Sequence, residues 1–149
     1  MKDKTVIVTG AARGLGQKYA LELSKAGALV VAADINSCEE TKKLIQEIGN
    51  DCLALELDVT DFSSCKSLIS KTLEKYNKVD VLINNAALYG TLKSSRFEDI
   101  DSDQWDRAMN VNAKGVWNCC RAVVPSMREQ KSGSIINIAS LAAVNKPIT

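Results

Sequence analysis

The side chains in this 149-residue sequence that could do chemistry recur directly after apolar runs. The first run, Lys4-Thr5-Val6-Ile7-Val8, leads into Thr9-Gly10-Ala11-Ala12-Arg13-Gly14-Leu15-Gly16. Gly10 lets the chain leave a strand sharply, and Gly14 and Gly16 remove side chains where an anion would approach the backbone and where a helix must pack on a sheet. The helical pattern that follows starts with unpaired N–H groups and a partial positive charge, which suits a pyrophosphate. Glycines alone are also compatible with an ordinary strand-to-helix turn. Context adds weight, because the second apolar run, Ala28–Ala33, ends in Asp34. An acid there can accept hydrogen bonds from the hydroxyls of an adenosine ribose, so the two features together point to a dinucleotide site.

Four further features close later runs. Asp58 follows Cys52–Leu57 and could accept from an adenine amino group or simply hold a turn or helix cap. Asn84-Asn85-Ala86-Ala87 follows Val79–Ile83, and adjacent asparagines there either tie neighbouring loops through backbone hydrogen bonds or form a turn. Asn110 and Asn112 fall inside a helical pattern, where asparagine competes for backbone hydrogen bonds; they mark either a special site or exposed surface. Ser140 follows Ser134–Ala139, and its hydroxyl faces the same crevice unless it serves only as a turn or capping residue.

The elements that must position these residues alternate. Strands are expected at Thr5–Thr9, Ala28–Ala33, Cys52–Leu57, Val79–Asn84 and Ser134–Ala139. Helices are expected at Gly14–Lys25, Glu39–Ile48, Phe62–Tyr76 and, as one long element, Ser102–Glu129 with a kink near Pro125. Thr60 or Asp61 is the expected cap of the third helix. Nearly continuous apolar strands separated by helices imply an α/β, doubly wound parallel sheet (Rossmann). The expected strand order is 3-2-1-4-5, with the ligand crevice at the carboxyl ends around strands one and four. Residues 140–149 show no completed element, so the chain is expected to form one dinucleotide-binding domain truncated after strand five.

Composition narrows the function classes. The chain is 46% hydrophobic and 25% charged with net charge +1, which gives no sign of a nucleic-acid or membrane-surface partner. No apolar run approaches the roughly 20 residues of a membrane span. A strand begins almost at the N-terminus, so a secretory signal is not expected. Histidine is absent and the five cysteines, Cys38, Cys52, Cys65, Cys119 and Cys120, form no C-x-x-C pair. Free thiols, no metal site and a reducing, cytoplasmic setting are the expectation.

The spacing Thr9-Gly10-x-x-x-Gly14-x-Gly16 is not the common dinucleotide fingerprint, but it resembles the cofactor turn of the short-chain dehydrogenase/reductase family. Asp58-Val59 is similar to that family's Asp-Val-like pair. Asn84-Asn85-Ala86-Ala87 resembles its Asn-Asn-Ala-Gly, with Ala87 in place of the glycine. Asn110-Val111-Asn112-Ala113-Lys114-Gly115 resembles its helix-four motif, and Gly133–Ser140 its fifth strand. The resemblance spans the whole chain. It implies an oxidoreductase that interconverts an alcohol and a carbonyl by hydride transfer to or from NAD(P). The cofactor residues would be Gly10, Arg13, Gly14, Leu15, Gly16, Asp34, Ile35, Asp58, Val59, Asn85 and Ala86. Asn112 matches the asparagine that holds a proton-relay water, and Ser140 the serine that orients the substrate.

The same resemblance places a Tyr-x-x-x-Lys acid/base pair a dozen or so residues after the serine, whereas this sequence reaches Thr149 first. A serine hydroxyl is too weak an acid to protonate the developing alkoxide alone. The expectation is therefore an N-terminal portion that binds cofactor better than it turns over substrate, its full-length parent being a homo-oligomer. A non-catalytic dinucleotide-binding module, or an inactive truncated product, is the alternative. Tyr89-Gly90-Thr91-Leu92-Lys93 has the pair's spacing but precedes the serine, contains a glycine and lies in a loop pattern. Strand five is expected to be an apolar edge that lowers stability or invites association. Asp34 favours NAD over NADP because a carboxylate repels a 2′-phosphate. Arg13, which could bind that phosphate, pair with Asp34 or lie in solvent, is the counterweight.

Overall fold

The computed structural model describes residues 1–140. Five parallel strands, β1 (Thr5–Thr9), β2 (Leu29–Asp34), β3 (Cys52–Glu56), β4 (Val81–Asn84) and β5 (Ser134–Asn137), form one sheet in the order β3-β2-β1-β4-β5. β1 is central, and all five of its residues are buried. Its side chains alternate between the two faces of the sheet, as period-two geometry requires. Ile7 joins Val31, Ala33 and Leu82 beneath α3 (Phe62–Tyr76) and the α5 residues Cys119, Val123 and Met127 (α5, Val116–Glu129). Val6 and Val8 join Val30, Ala32 and Ile83 against Ala20 of α1 (Gly14–Lys25) and Ile45 of α2 (Glu39–Glu47). Burial on both faces is why these strands read as unbroken apolar runs. Truncating a fully buried side chain such as Ile7 to alanine would cost about 2–5 kcal/mol.

Local chemistry sets the ends of the elements. Asp61 caps α3, its carboxylate accepting from the N–H groups of Ser63 and Ser64, and Asn77 closes that helix in the left-handed region at φ 61°. β2 begins one residue later and β4 two residues later than the apolar runs suggest. Beyond β5 the ladder continues in part, since the Ile138 N–H still donates to the Asn84 carbonyl at 3.0 Å.

The region from 102 to 129 differs from the single helix expected. α4 (Ser102–Met109) passes into a π-helical stretch over Asn110–Gly115 and then into α5. The irregularity lies at the asparagines, and α5 itself runs through Pro125 to Glu129. Gly115 sits where the chain crosses Val59, and a Cβ there would lie 2.6 Å from Val59 Cγ2. The wider π turn and the missing side chain let the helix pass close behind the Asp58-Val59 loop. Among the described residues β5 is an edge, as expected, and Ile136 and Ile138 are 46% and 42% exposed along it. No helix among the described residues is long and apolar enough to cross a membrane.

Candidate functional site

The carboxyl ends of β1 and β4 part to opposite sides of the sheet, and a cleft of about 550 Å³ opens there. Gly10, Arg13, Gly14, Leu15 and Gly16 line one side, Asp34 and Ile35 the end of β2, Asp58 and Val59 the end of β3, and Asn85 and Ala86 the end of β4. All eleven expected cofactor residues thus share one cavity. It is also lined by Asn36, Leu57, Ala87, Leu88, Tyr89 and Val111. A shallower depression of about 430 Å³ on α4, lined by Asp101, Asp103, Asp106, Arg107 and Asn110, contains no residue from the strand ends.

The turn after β1 is built to be bare. Gly10 has φ +68°, and a Cβ on it would lie 2.8 Å from Ala86 Cα; one on Gly16 would lie 2.0 Å from the Gly10 carbonyl oxygen. Neither site admits a side chain without displacing backbone. Gly14 differs: it has φ +61° with nothing within 4 Å of where its Cβ would be, so this part of the turn faces open space. Arg13 occupies the N-cap of α1 without a side-chain capping bond, and the first turn carries no acidic residue. The leading N–H groups of α1 therefore keep their positive end toward the cleft.

Hydrogen bonds tie the two turns together across 75 to 77 residues of sequence. Thr9 Oγ1 accepts from the N–H groups of Asn85 and Ala86, both at 3.0 Å. The Asn85 carboxamide Nδ2 donates to the carbonyls of Thr9 at 3.0 Å and Gly10 at 3.2 Å. Thr9, 1% exposed, escaped the reading of the sequence because a threonine closing a β-branched run looks like one more strand residue.

Asp34 sits at the rim with its carboxylate held from both sides. Oδ2 accepts from the Ala12 N–H at 3.1 Å, and Oδ1 accepts from the Asn36 N–H at 2.9 Å and Asn36 Nδ2 at 3.2 Å. Oδ2 keeps acceptor capacity. Arg13 is exposed and makes no ion pair with Asp34. Asp58 takes both places that its neighbours allow: it lines the cleft, and its Oδ1 accepts from the Thr60 N–H at 2.8 Å and the Thr60 hydroxyl at 2.7 Å.

Asn112 and Ser140 are not among the cleft-lining residues. Asn112, in the π-helical stretch, clamps a single residue of the wall: its Oδ1 accepts from the Leu88 N–H at 2.7 Å and its Nδ2 donates to the Leu88 carbonyl at 3.0 Å. Ser140 is exposed, beyond the carboxyl end of β5. The Tyr89–Lys93 segment is a turn and loop, so its tyrosine and lysine do not share a helical face; Tyr89 is 85% exposed. The cysteines are free thiols, four of them buried, and the described residues hold no cluster suited to a metal ion.

A doubly wound α/β chain with its ligand cleft at the switch point between β1 and β4 is the class that this fold and cleft define. The chain belongs to the short-chain dehydrogenase family, whose profile matches residues 4–149. It is 34% identical over 148 residues to the 3-oxoacyl-[acyl-carrier-protein] reductase FabG of Staphylococcus aureus, covering 97% of this chain and 59% of that protein. Its identity to the Thermotoga maritima protein of the same name is 35% over 147 residues, covering 97% of this chain and 58% of the relative. The crystal structure of levodione reductase superposes with a TM-score of 0.93 at 28% identity, over 99% of this chain and 58% of that one. The chain thus spans less than two thirds of the length of these relatives. Dependence on a nicotinamide dinucleotide is general to the family.

Proposed function

We propose that this chain is the cofactor-binding part of an NAD-dependent oxidoreductase that interconverts an alcohol and a carbonyl. The observation that carries the reading is the joining of a bare turn after β1 to a carboxylate at the end of β2 in a single cleft. The uncapped start of α1, with Gly14 open beside it, fits an anionic phosphate bridge. Asp34, fixed by Ala12 and Asn36, fits ribose hydroxyls and disfavours a phosphate on the same sugar. Asp58 and Val59 form the wall for an adenine ring, and Asn85 and Ala86 hold the opposite side. A bound nicotinamide would supply the hydride.

The protein's own work is binding, orientation and proton placement. Ser140 donates a hydrogen bond to the substrate oxygen. Asn112 positions the wall through Leu88, its side-chain amide being spent on that residue's backbone. The sole Tyr-x-x-x-Lys of the 149 residues is the exposed Tyr89–Lys93 loop, and this favours a second reading in which the chain by itself binds dinucleotide without catalysis. One experiment separates the two. The chain is titrated with NADH, and its consumption of NADH is then followed with a panel of ketones and aldehydes. Saturable binding with turnover that Ser140→Ala abolishes supports the enzyme; binding without turnover supports the module; no binding refutes both.

A further inference from the structure

Behind the Asp58-Val59 wall lie two thiols that the dinucleotide reading does not use. Cys65, in the first turn of α3, is 0% exposed, and Cys119 of α5 is 2% exposed. Their sulfurs are 3.8 Å apart. Cys65 Sγ also lies 3.7 Å from the Val59 carbonyl oxygen. The neighbouring Asn118 donates through Nδ2 to the carbonyls of Val59 at 2.9 Å and Thr60 at 3.2 Å, so α5 grips the same loop from beside the pair. We propose that Cys65 and Cys119 form a reversible modification site, a dithiol that closes to a disulfide on reaction with a hydroperoxide and pins α3 to α5 directly behind the cleft wall.

Three features support this. The sulfurs need to approach by roughly 1.8 Å to reach a bond length of about 2.05 Å, a movement within reach of two side-chain rotations. The pair is chemically asymmetric: the hydrogen bond between the two sulfurs holds the Cys65 pKa below that of an ordinary thiol, while the same bond and burial push Cys119 up. One sulfur is therefore the nucleophile and the other the resolving thiol. By contrast, burial pushes the Cys38 and Cys52 thiols up to about 12 and about 11, which leaves them inert by comparison.

The chemistry balances. The Cys65 thiolate attacks the peroxide oxygen, the O–O bond breaks and an alkoxide leaves, taking the proton to become the alcohol. The resulting sulfenic acid is attacked by the Cys119 sulfur, which loses its proton; an S–S bond forms, the S–O bond breaks and water leaves. Two thiols are oxidised by two electrons and one hydroperoxide is reduced to alcohol and water. A dithiol reductant reverses the step through a mixed disulfide.

The test uses the full chain without cofactor, so its outcome is independent of the dinucleotide reading. The chain is treated with tert-butyl hydroperoxide at stoichiometric doses, denatured, and its remaining thiols are alkylated and counted by mass. The expected result is a fall from five alkylated cysteines to three, with a proteolytic peptide pair joining Cys65 to Cys119 and about 2 Da lighter than its reduced parts. Dithiothreitol should restore all five. The cross-linked chain should also unfold at a urea midpoint higher by about 1 M, because the bond constrains the unfolded chain. A Cys120→Ser variant should fall from four alkylated cysteines to two with the same joined peptide pair, which excludes the adjacent thiol as partner. Five thiols remaining after treatment, a bond between any other cysteines, overoxidation without a bond, or a cross-link that leaves the urea midpoint unchanged would each overturn the proposal.

Discussion

Replacing Thr9 with valine keeps the shape of a fully buried side chain and removes one oxygen atom. That oxygen accepts two backbone N–H groups, those of Asn85 and Ala86, each at 3.0 Å. Valine leaves both donors without a partner, and an orphaned buried donor costs about 1–3 kcal/mol. Asn85 and Ala86 are only half-buried, so the lower half of that range applies to each, and the expected loss is about 3 kcal/mol in total. No cavity term is added, because the γ-methyl fills the space. The Asn85 carboxamide continues to hold the carbonyls of Thr9 and Gly10, so the turns loosen without separating. The assay is urea unfolding followed by far-ultraviolet circular dichroism, with a slope of about 1–3 kcal/mol per molar urea, so the midpoint should fall by roughly 1–3 M. Thr9→Ser retains the acceptor and should lose only about 1 kcal/mol for the methyl group. A Thr9→Val chain with the wild-type midpoint would refute the view that this hydroxyl fastens the two sides of the cleft. So would a serine variant as unstable as the valine one.

Three further outcomes follow from the same geometry. Gly16→Ala places a Cβ 2.0 Å from the Gly10 carbonyl oxygen, so NADH binding measured by fluorescence should weaken at least about tenfold, the equivalent of 1.4 kcal/mol. Asp80 resists the pKa rise that burial alone would cause, because Lys4, the Thr5 N–H and Lys78 hold its carboxylate charged and its pKa below the usual range. A depressed folded-state pKa contributes stability that is present above the unfolded value of about 3.9 and lost as pH falls through the lower folded value. Urea midpoints measured downward from about pH 4 should therefore fall less steeply in Asp80→Asn than in wild type. Finally, β5 presents Ile136 at the edge of the sheet formed by the described residues, so Ile136→Lys should reduce concentration-dependent light scattering of the 149-residue chain; unchanged scattering would place self-association elsewhere.

Much of the sheet was legible because its strands are buried on both faces, which forces continuous apolar runs, and because each is followed by a residue type suited to a turn. Gly10, Gly14, Gly16 and Asp34 were legible for the same reason, since strand ends at a switch point converge by topology; the rest of the eleven cleft residues came with the family resemblance. What the sequence concealed depends on contacts between distant segments. The hydroxyl of Thr9 meets Asn85 and Ala86 only after β1 pairs with β4. Leu88 and Val111 reach the cleft through packing of the loop after β4 against the π-helical stretch. That stretch read as ordinary helix because its residues carry no periodic signal of wider winding; Asn110, Asn112 and Gly115 were its trace, and only Val59 explains the glycine. Asn36 was missed because a polar residue after a strand is common, and its bonds to Asp34 distinguish it only in three dimensions.

The central claim is that the cleft takes a dinucleotide whose ribose is held by Asp34, and competition binding of NAD and NADP to the wild-type chain and to Asp34→Ala tests it most directly. The account predicts saturable binding with NAD preferred in the wild type, and a shift of the affinity ratio toward NADP of at least about tenfold in the variant. Absence of saturable binding, or an identical NAD to NADP ratio in both proteins, would contradict it.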